Sequence, residues 1–132
     1  MPSLKVSSKQ LKILQEALDL YLRANLGQVE RVMDPLLKYG FKDWNGVEIP
    51  YENLHALGED IQSSKRLLNL ASGSSHGVFS KNVSDAGHIA YDMLQVVRGY
   101  THDTNPNSDP IIARSIMPTS GENLLEIKED ST

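Results

Sequence analysis

The stretch SSKQLKILQEALDLYLRAN, residues 7–25, decides the fold. Ser7 followed three residues later by Gln10 is a capping box. Hydroxyl and amide each satisfy a backbone N–H that a helix start leaves without a partner. Val6 and Leu11 stand at the two positions of a hydrophobic staple, which fixes where the helix begins. Leu11, Leu14, Leu18, Tyr21, Leu22 and Asn25 then recur at three- and four-residue steps, the pattern of one helical face. Leu11, Leu14, Leu18 and Leu22 are expected to face the core. Leu26-Gly27 interrupts, because glycine costs ~1 kcal/mol against alanine inside a helix.

Working outward, Val29, Val32, Met33, Leu36 and Leu37 mark a second, short helix, with Pro35 starting or kinking its last turn. Asn45-Gly46 lies between Phe41–Trp44 and Val47–Ile49. That reads as a type I′ hairpin or an isolated turn, a type I′ turn needing positive φ at both central residues. Pro50 opens a long helix to about Ala71 with Leu54, Leu57, Ile61, Leu68 and Ala71 as its buried stripe, and Gly73 as its stop. Residues 72–83 form a small-residue loop. Ser84 caps a fourth helix to about Tyr100, with Ile89, Met93, Val96, Val97 and Tyr100 on one face. THDTNPNSDP, residues 101–110, is a string of turn formers. Short β-prone pieces follow near Ile111–Met117 and Leu124–Lys128, then a charged, frayed end. The expected fold is mainly α: one domain over 1–132, with a body of about four helices over 7–100. It carries a short hairpin or turn near 41–49 and a small β or extended tail over 101–132.

Composition narrows the function. The 132 residues suit one domain. Thirteen Lys and Arg against seventeen Asp and Glu leave a net charge of −4. Non-specific binding to nucleic-acid polymers or anionic membranes usually needs the opposite sign, so neither is an expected partner. With no cysteine, disulfides, thiolate zinc sites and a Cys nucleophile are excluded. No apolar run approaches the ~20 residues of a membrane span, and MPSLKVSSKQ lacks the apolar stretch of a secretory signal. A soluble, cytoplasmic protein is expected.

Gly73-Ser74-Ser75-His76-Gly77 matches G-x-S-x-G, yet a nucleophile elbow needs a strand-to-helix turn over a parallel sheet. Here the segment follows a helix. It reads instead as a flexible connection, or as a loop whose backbone N–H groups receive an anion. Asp85, in the first turn of the next helix, opposes that anion unless it points away. His55, His76, His88 and His102 form no H-x-x-x-H pair and no ligand spacing with carboxylates, so no metal and no cofactor are expected. No catalytic constellation is present, and the chain is expected not to be an enzyme. Two polar stripes stand out at helical spacing: Tyr21, Asn25 and Gln28 with Arg23 nearby, and Tyr91, Gln95 and Arg98. They suit a planar, hydrogen-bonding, anionic ligand such as a nucleotide. They equally suit the polar edge of an amphipathic helix or a homo-oligomer contact.

Glu16–Arg23 with Leu26-Gly27-Gln28, then Gly73–Gly77, then Ala90–Arg98, occur in an order that resembles a family of small helical proteins from tailed bacteriophages. The resemblance covers residues 8 to 100. Small phage proteins of this type include anti-defence sponges, among them the group called Lockins or Sequestins. By analogy the resemblance implies a viral immune-evasion protein in the cytoplasm of an infected bacterium. It would sequester a cyclic nucleotide or ADP-ribose-derived messenger without cleaving it. On that reading Tyr21 and Tyr91 flank a base, and Gln28 and Gln95, with Asn25 beside them, read its edge. Arg23 and Arg98 neutralise phosphate with the amides of Ser74, Ser75, His76 and Gly77. A homo-oligomer is expected. The alternative is a protein-binding accessory or inhibitor module acting on a host or virion protein.

Overall fold

Ser7 starts the first helix in the expected way. Its hydroxyl accepts the Gln10 N–H at 3.2 Å, and the Gln10 side-chain oxygen accepts the Ser7 N–H at 2.9 Å. In this computed structural model, which describes residues 4–104, 120 and 127–129, α1 runs Ser8–Asn25. Leu11 and Leu22 are buried, and Leu14 and Leu18 pack partly buried against them. The staple is formed, since Val6 and Leu11 share one apolar cluster. Gly27 ends the helix at φ +89°, a left-handed conformation that costs glycine nothing. The Gln28 N–H reaches back to the Arg23 carbonyl at 2.8 Å and the Gly27 N–H to that of Ala24 at 3.1 Å, a Schellman motif.

A 3₁₀ turn, Val29–Val32, leads directly into α2, Met33–Tyr39, with Pro35 in its first turn rather than its last. The next segment is a turn with one antiparallel bridge, Lys42 to Glu48. It is not type I′: Gly46 has φ +81°, but among the described residues Asn69 alone of the non-glycines has positive φ. The Gly46 N–H bonds to the Asp43 carbonyl and the Asp43 N–H to that of Val47, giving a three-residue loop closed by a left-handed glycine. The Asp43 carboxylate accepts the Asn45 and Val47 N–H groups at 2.8 and 3.0 Å and stiffens the loop.

α3 spans Tyr51–Ser64, shorter than its pattern suggests. The Ser63 and Ser64 hydroxyls donate to the Glu59 and Asp60 carbonyls four residues back, a contact that loosens a helix. A 3₁₀ turn over Lys65–Leu68 follows, and Asn69, not Gly73, is the left-handed cap. Of the expected stripe Leu54 is buried and Ile61 half-buried, while Leu57, Leu68 and Ala71 are exposed. The reason is size: α3 packs on seven-residue α2 and the 3₁₀ turn before it, which cover only part of its length.

Ser84 caps α4, Asp85–Thr104, by accepting the Gly87 N–H at 3.1 Å. The helix passes four residues beyond Tyr100 into the string of turn formers. α4 packs antiparallel on α1, the Asn25 end meeting Gly87 and the Leu11 end meeting Val97. Its buried apolar residues are Ala90, Leu94 and Val97, not the Ile89/Met93/Val96 set, which is half-buried. The core face is therefore turned toward the side carrying Tyr91, Gln95 and Arg98. Two clusters result: Leu22, Leu26, Val83, Ala90 and Leu94 at one end, and Val6, Leu11 and Val97 at the other. Each fully buried Leu or Val there contributes about 1.5–3 kcal/mol.

β1, Leu4–Val6, pairs in parallel with β2, Ile127–Glu129, which overlaps the end of the β-prone piece at 124–128 and runs one residue past it. Ser120 donates its N–H and hydroxyl to the Asp92 carboxylate at 2.9 and 2.6 Å. These described parts of the tail thus close on α4 and on the start of α1. The β-prone piece at 111–117 and the frayed end lie outside the described residues.

Candidate functional site

Asp19, one turn before Arg23 on α1, organises the site. The Arg23 Nε lies 3.2 and 3.3 Å from its two oxygens. Arg98 of α4 crosses to the same carboxylate, with Nη2 to Oδ1 at 3.2 Å. Arg23 Nη1 donates to the Gln28 side-chain oxygen at 2.9 Å, and Gln28 Nε2 donates to the Ser75 hydroxyl at 3.0 Å. One polar chain thus runs from α4 through α1 and its Schellman end into the 72–80 loop. Four residues of the expected site, Arg23, Gln28, Ser75 and Arg98, lie along it. Asp19 was passed over, although its spacing to Arg23 is that of a helical ion pair.

The remaining expected residues do other work. Asn25 donates to the Tyr21 carbonyl at 2.9 Å and accepts the Ser84 hydroxyl at 2.6 Å, tying α1 to the start of α4. Tyr21 is exposed. Tyr91 packs against the Leu22/Leu94 cluster and meets Phe79 edge-on at 6.0 Å, so its ring is already engaged. Gln95 is buried, 6% exposed, and is not presented as an open edge reader. In the loop, the Ser74 N–H donates to the Ala71 carbonyl and the His76 N–H to that of Leu26. Two of the four amides expected to face phosphate are therefore turned inward, leaving Ser75 and Gly77. Ser75 sits on a loop between helical segments, not on a strand end, so no nucleophile elbow forms.

A buried ion pair holds this loop. The Lys65 side chain is fully buried, its ammonium 3.1 Å from the Glu30 carboxylate, and it donates to the Ser74 carbonyl. Beside Asp19 a slot of about 370 Å³ opens between α1 and α2. Ile13, Ala17, Leu20 and Pro35 make its apolar walls, and Lys38 and Tyr39 stand at its edge. Both edge groups bond to Glu16. The Lys38 ammonium, then the Tyr39 hydroxyl, hold the Glu16 carboxyl below the ordinary range, and Glu16 in turn raises Lys38 and Tyr39.

Two guanidiniums share one carboxylate, so the cluster carries one more positive than negative charge in a chain of net charge −4. Both are partly desolvated, with side chains 31% and 25% exposed. Such a pair can hold an anion through forked hydrogen bonds. Among the described residues no group of three or more His, Asp or Glu could hold a metal ion, and no helix is long and apolar enough to cross a membrane. Comparison with protein-family models, curated proteins and solved structures gives no match.

Proposed function

We propose that this chain binds and sequesters an anionic nucleotide messenger without cleaving it. It would act as a phage counter-defence protein in the cytoplasm of the infected host. The observation that carries the reading is the Arg23–Asp19–Arg98 cluster, two partly desolvated cations on one carboxylate. A phosphate bridging Arg23 and Arg98 supplies the missing negative charge. The slot beside Asp19 receives the nucleoside between apolar walls, with the Tyr39 ring at its mouth. Gln28 holds Arg23 in place and, through Ser75, ties the loop to the site. Relative to the sequence expectation, Tyr21, Asn25, Tyr91 and Gln95 leave the ligand shell, and Asp19 and Tyr39 join it.

The ligand is a cyclic mono- or dinucleotide or a cyclic ADP-ribose isomer. Calorimetry against a panel of these, with the matching nucleosides as phosphate-free controls, tests the proposal. Binding tighter than about 10 μM, near −7 kcal/mol, that is lost with the phosphate is the expected result. Absence of such binding across the panel contradicts it.

A further inference from the structure

Residues 37–51 expose a large apolar surface. Trp44, at the tip of the Asp43–Gly46 turn, is 95% exposed, and Leu37, Tyr39, Phe41, Val47 and Tyr51 are 43–65% exposed. Across the bridge Phe41 pairs with Ile49, and Asp43 with Val47. Phe41, Val47 and Ile49 therefore share one face of the turn, and Lys42 and Glu48 take the other. Tyr39 stands at the slot on the other side of α2 from Leu37, so the remaining five residues, with aromatic side chains covering 150–250 Å² each, leave roughly 600 Å² of surface open. The largest patch on a typical monomer is about 300–600 Å², and the groove between α2 and α3 adds to this surface toward the roughly 800 Å² that each partner of a standard interface buries.

The same helical hairpin carries a receptor for this turn. A groove of about 460 Å³ runs between α2 and α3, lined by Met33, Leu37 and Leu54 together with Glu30, His55 and Glu59. It lies within the size range that takes a ring system. Its exposed acid, Glu59, has His55 as its one ion-pair neighbour among the described residues, at 3.8 Å. Lys42, beside the tip, has no carboxylate partner among the described residues. Protrusion and groove are thus consecutive along one α2–turn–α3 unit, and Lys42 beside the tip is opposite in charge to Glu59 at the groove.

We infer that this face is a two-fold dimer interface in which Trp44 of each copy enters the α2/α3 groove of the other, with Lys42 against Glu59. An isologous exchange satisfies both copies at once and closes, as a head-to-tail contact would not. A second copy is the occupant because one α2–turn–α3 unit carries both the protruding tip and the groove, with Lys42 and Glu59 of opposite charge beside them.

Trp44 is the chain's only tryptophan, so its fluorescence reports the contact directly. Sedimentation equilibrium and emission are followed together on the full chain from roughly 1 to 100 μM, within the affinity range of interfaces this size. The expected result is a mass that doubles with concentration while Trp44 emission moves to the blue and escapes acrylamide quenching. Trp44→Ser weakens association at least about thirtyfold, as a central aromatic anchor does. Glu59→Arg weakens it at least about tenfold, and adding Lys42→Glu restores it. A monomer throughout this range overturns the inference and gives the patch to another partner. A dimer whose Trp44 stays open to quencher overturns it too, placing the interface elsewhere.

Discussion

Arg98 separates a binding role from a structural one at the level of a single side chain. It is partly exposed, and Arg23 holds Asp19 without it. Arg98→Ala is therefore expected to change stability by less than about 1 kcal/mol. Nucleotide affinity falls by about 1.5–3 kcal/mol, tenfold to a hundredfold, through loss of a charge-assisted bond. Arg98→Lys restores only part, since an ammonium lacks the planar fork. Melting temperature and calorimetric affinity, measured on both variants, check this. Unchanged affinity with a normal melt removes Arg98 from the site. Gly87 shows the opposite case. A Cβ there would stand 2.7 Å from Val83 Cγ1 and 2.9 Å from Asn25 Cβ, where α1 and α4 touch. Alanine gains ~1 kcal/mol in helix propensity, yet overpacking costs about 1–3 kcal/mol. Gly87→Ala should therefore lower the midpoint of denaturant unfolding, and a raised midpoint would show the crossing to be looser than described.

Between elements, one tie holds the α2–α3 unit to the loop and a second holds α2 to α1, and each has its own signature. Lys65→Met strands the Glu30 carboxylate and the Ser74 carbonyl and should cost about 3–5 kcal/mol. Adding Glu30→Leu should recover much of it, because an apolar pair of similar volume avoids the desolvation of two charges. Urea titrations of the single and double variants read this, and a double variant no better than the single refutes it. The second tie, Glu16 with Lys38 and Tyr39, depends on pH at both ends. The folded Glu16 carboxyl titrates below its ordinary value, so its contribution is complete above that value and fades as pH falls through the lowered one. Lys38 and Tyr39 titrate above theirs, so their contribution fades as pH rises through the raised values. NMR titration of the Glu16 carboxyl and the Tyr39 ring follows both limbs, and Glu16→Gln should bring the Tyr39 titration back down toward its ordinary value. Ordinary titration of Glu16 in the native chain would remove the tie. The helices themselves were legible because capping box, staple, Gly27 and Ser84 are local signals. Where α3 ends was not: two serines bonding back to carbonyls and a lysine drawn into a buried ion pair outweighed an apolar pattern running on to Ala71.

For the molecule as a whole, the sequence's periodicity finds a helix face only when one neighbour covers it. α4 is covered by α1 and also reached by Ser120 of the tail, so buried residues spread around it and include Asp92 and Gln95. For that reason Gln95 is buried and Tyr91 packs partly buried against the Leu22/Leu94 cluster. Arg23, Gln28, Ser75 and Arg98 converge because the two guanidiniums reach Asp19 from α1 and α4 and Gln28 links Arg23 to Ser75 of the loop. The Trp44 surface was missed because an apolar residue in a turn reads the same whether it packs inward or stands in solvent. The central claim is that this chain holds a nucleotide intact. It is tested most directly by incubating the purified protein with the cyclic mono- and dinucleotide and cyclic ADP-ribose panel, washing, denaturing with heat, and identifying the released molecule by chromatography and mass spectrometry. The account predicts one nucleotide retained and released unchanged, and lost from the Arg98→Ala variant. Recovery of a cleavage product, or of no nucleotide at all, contradicts it.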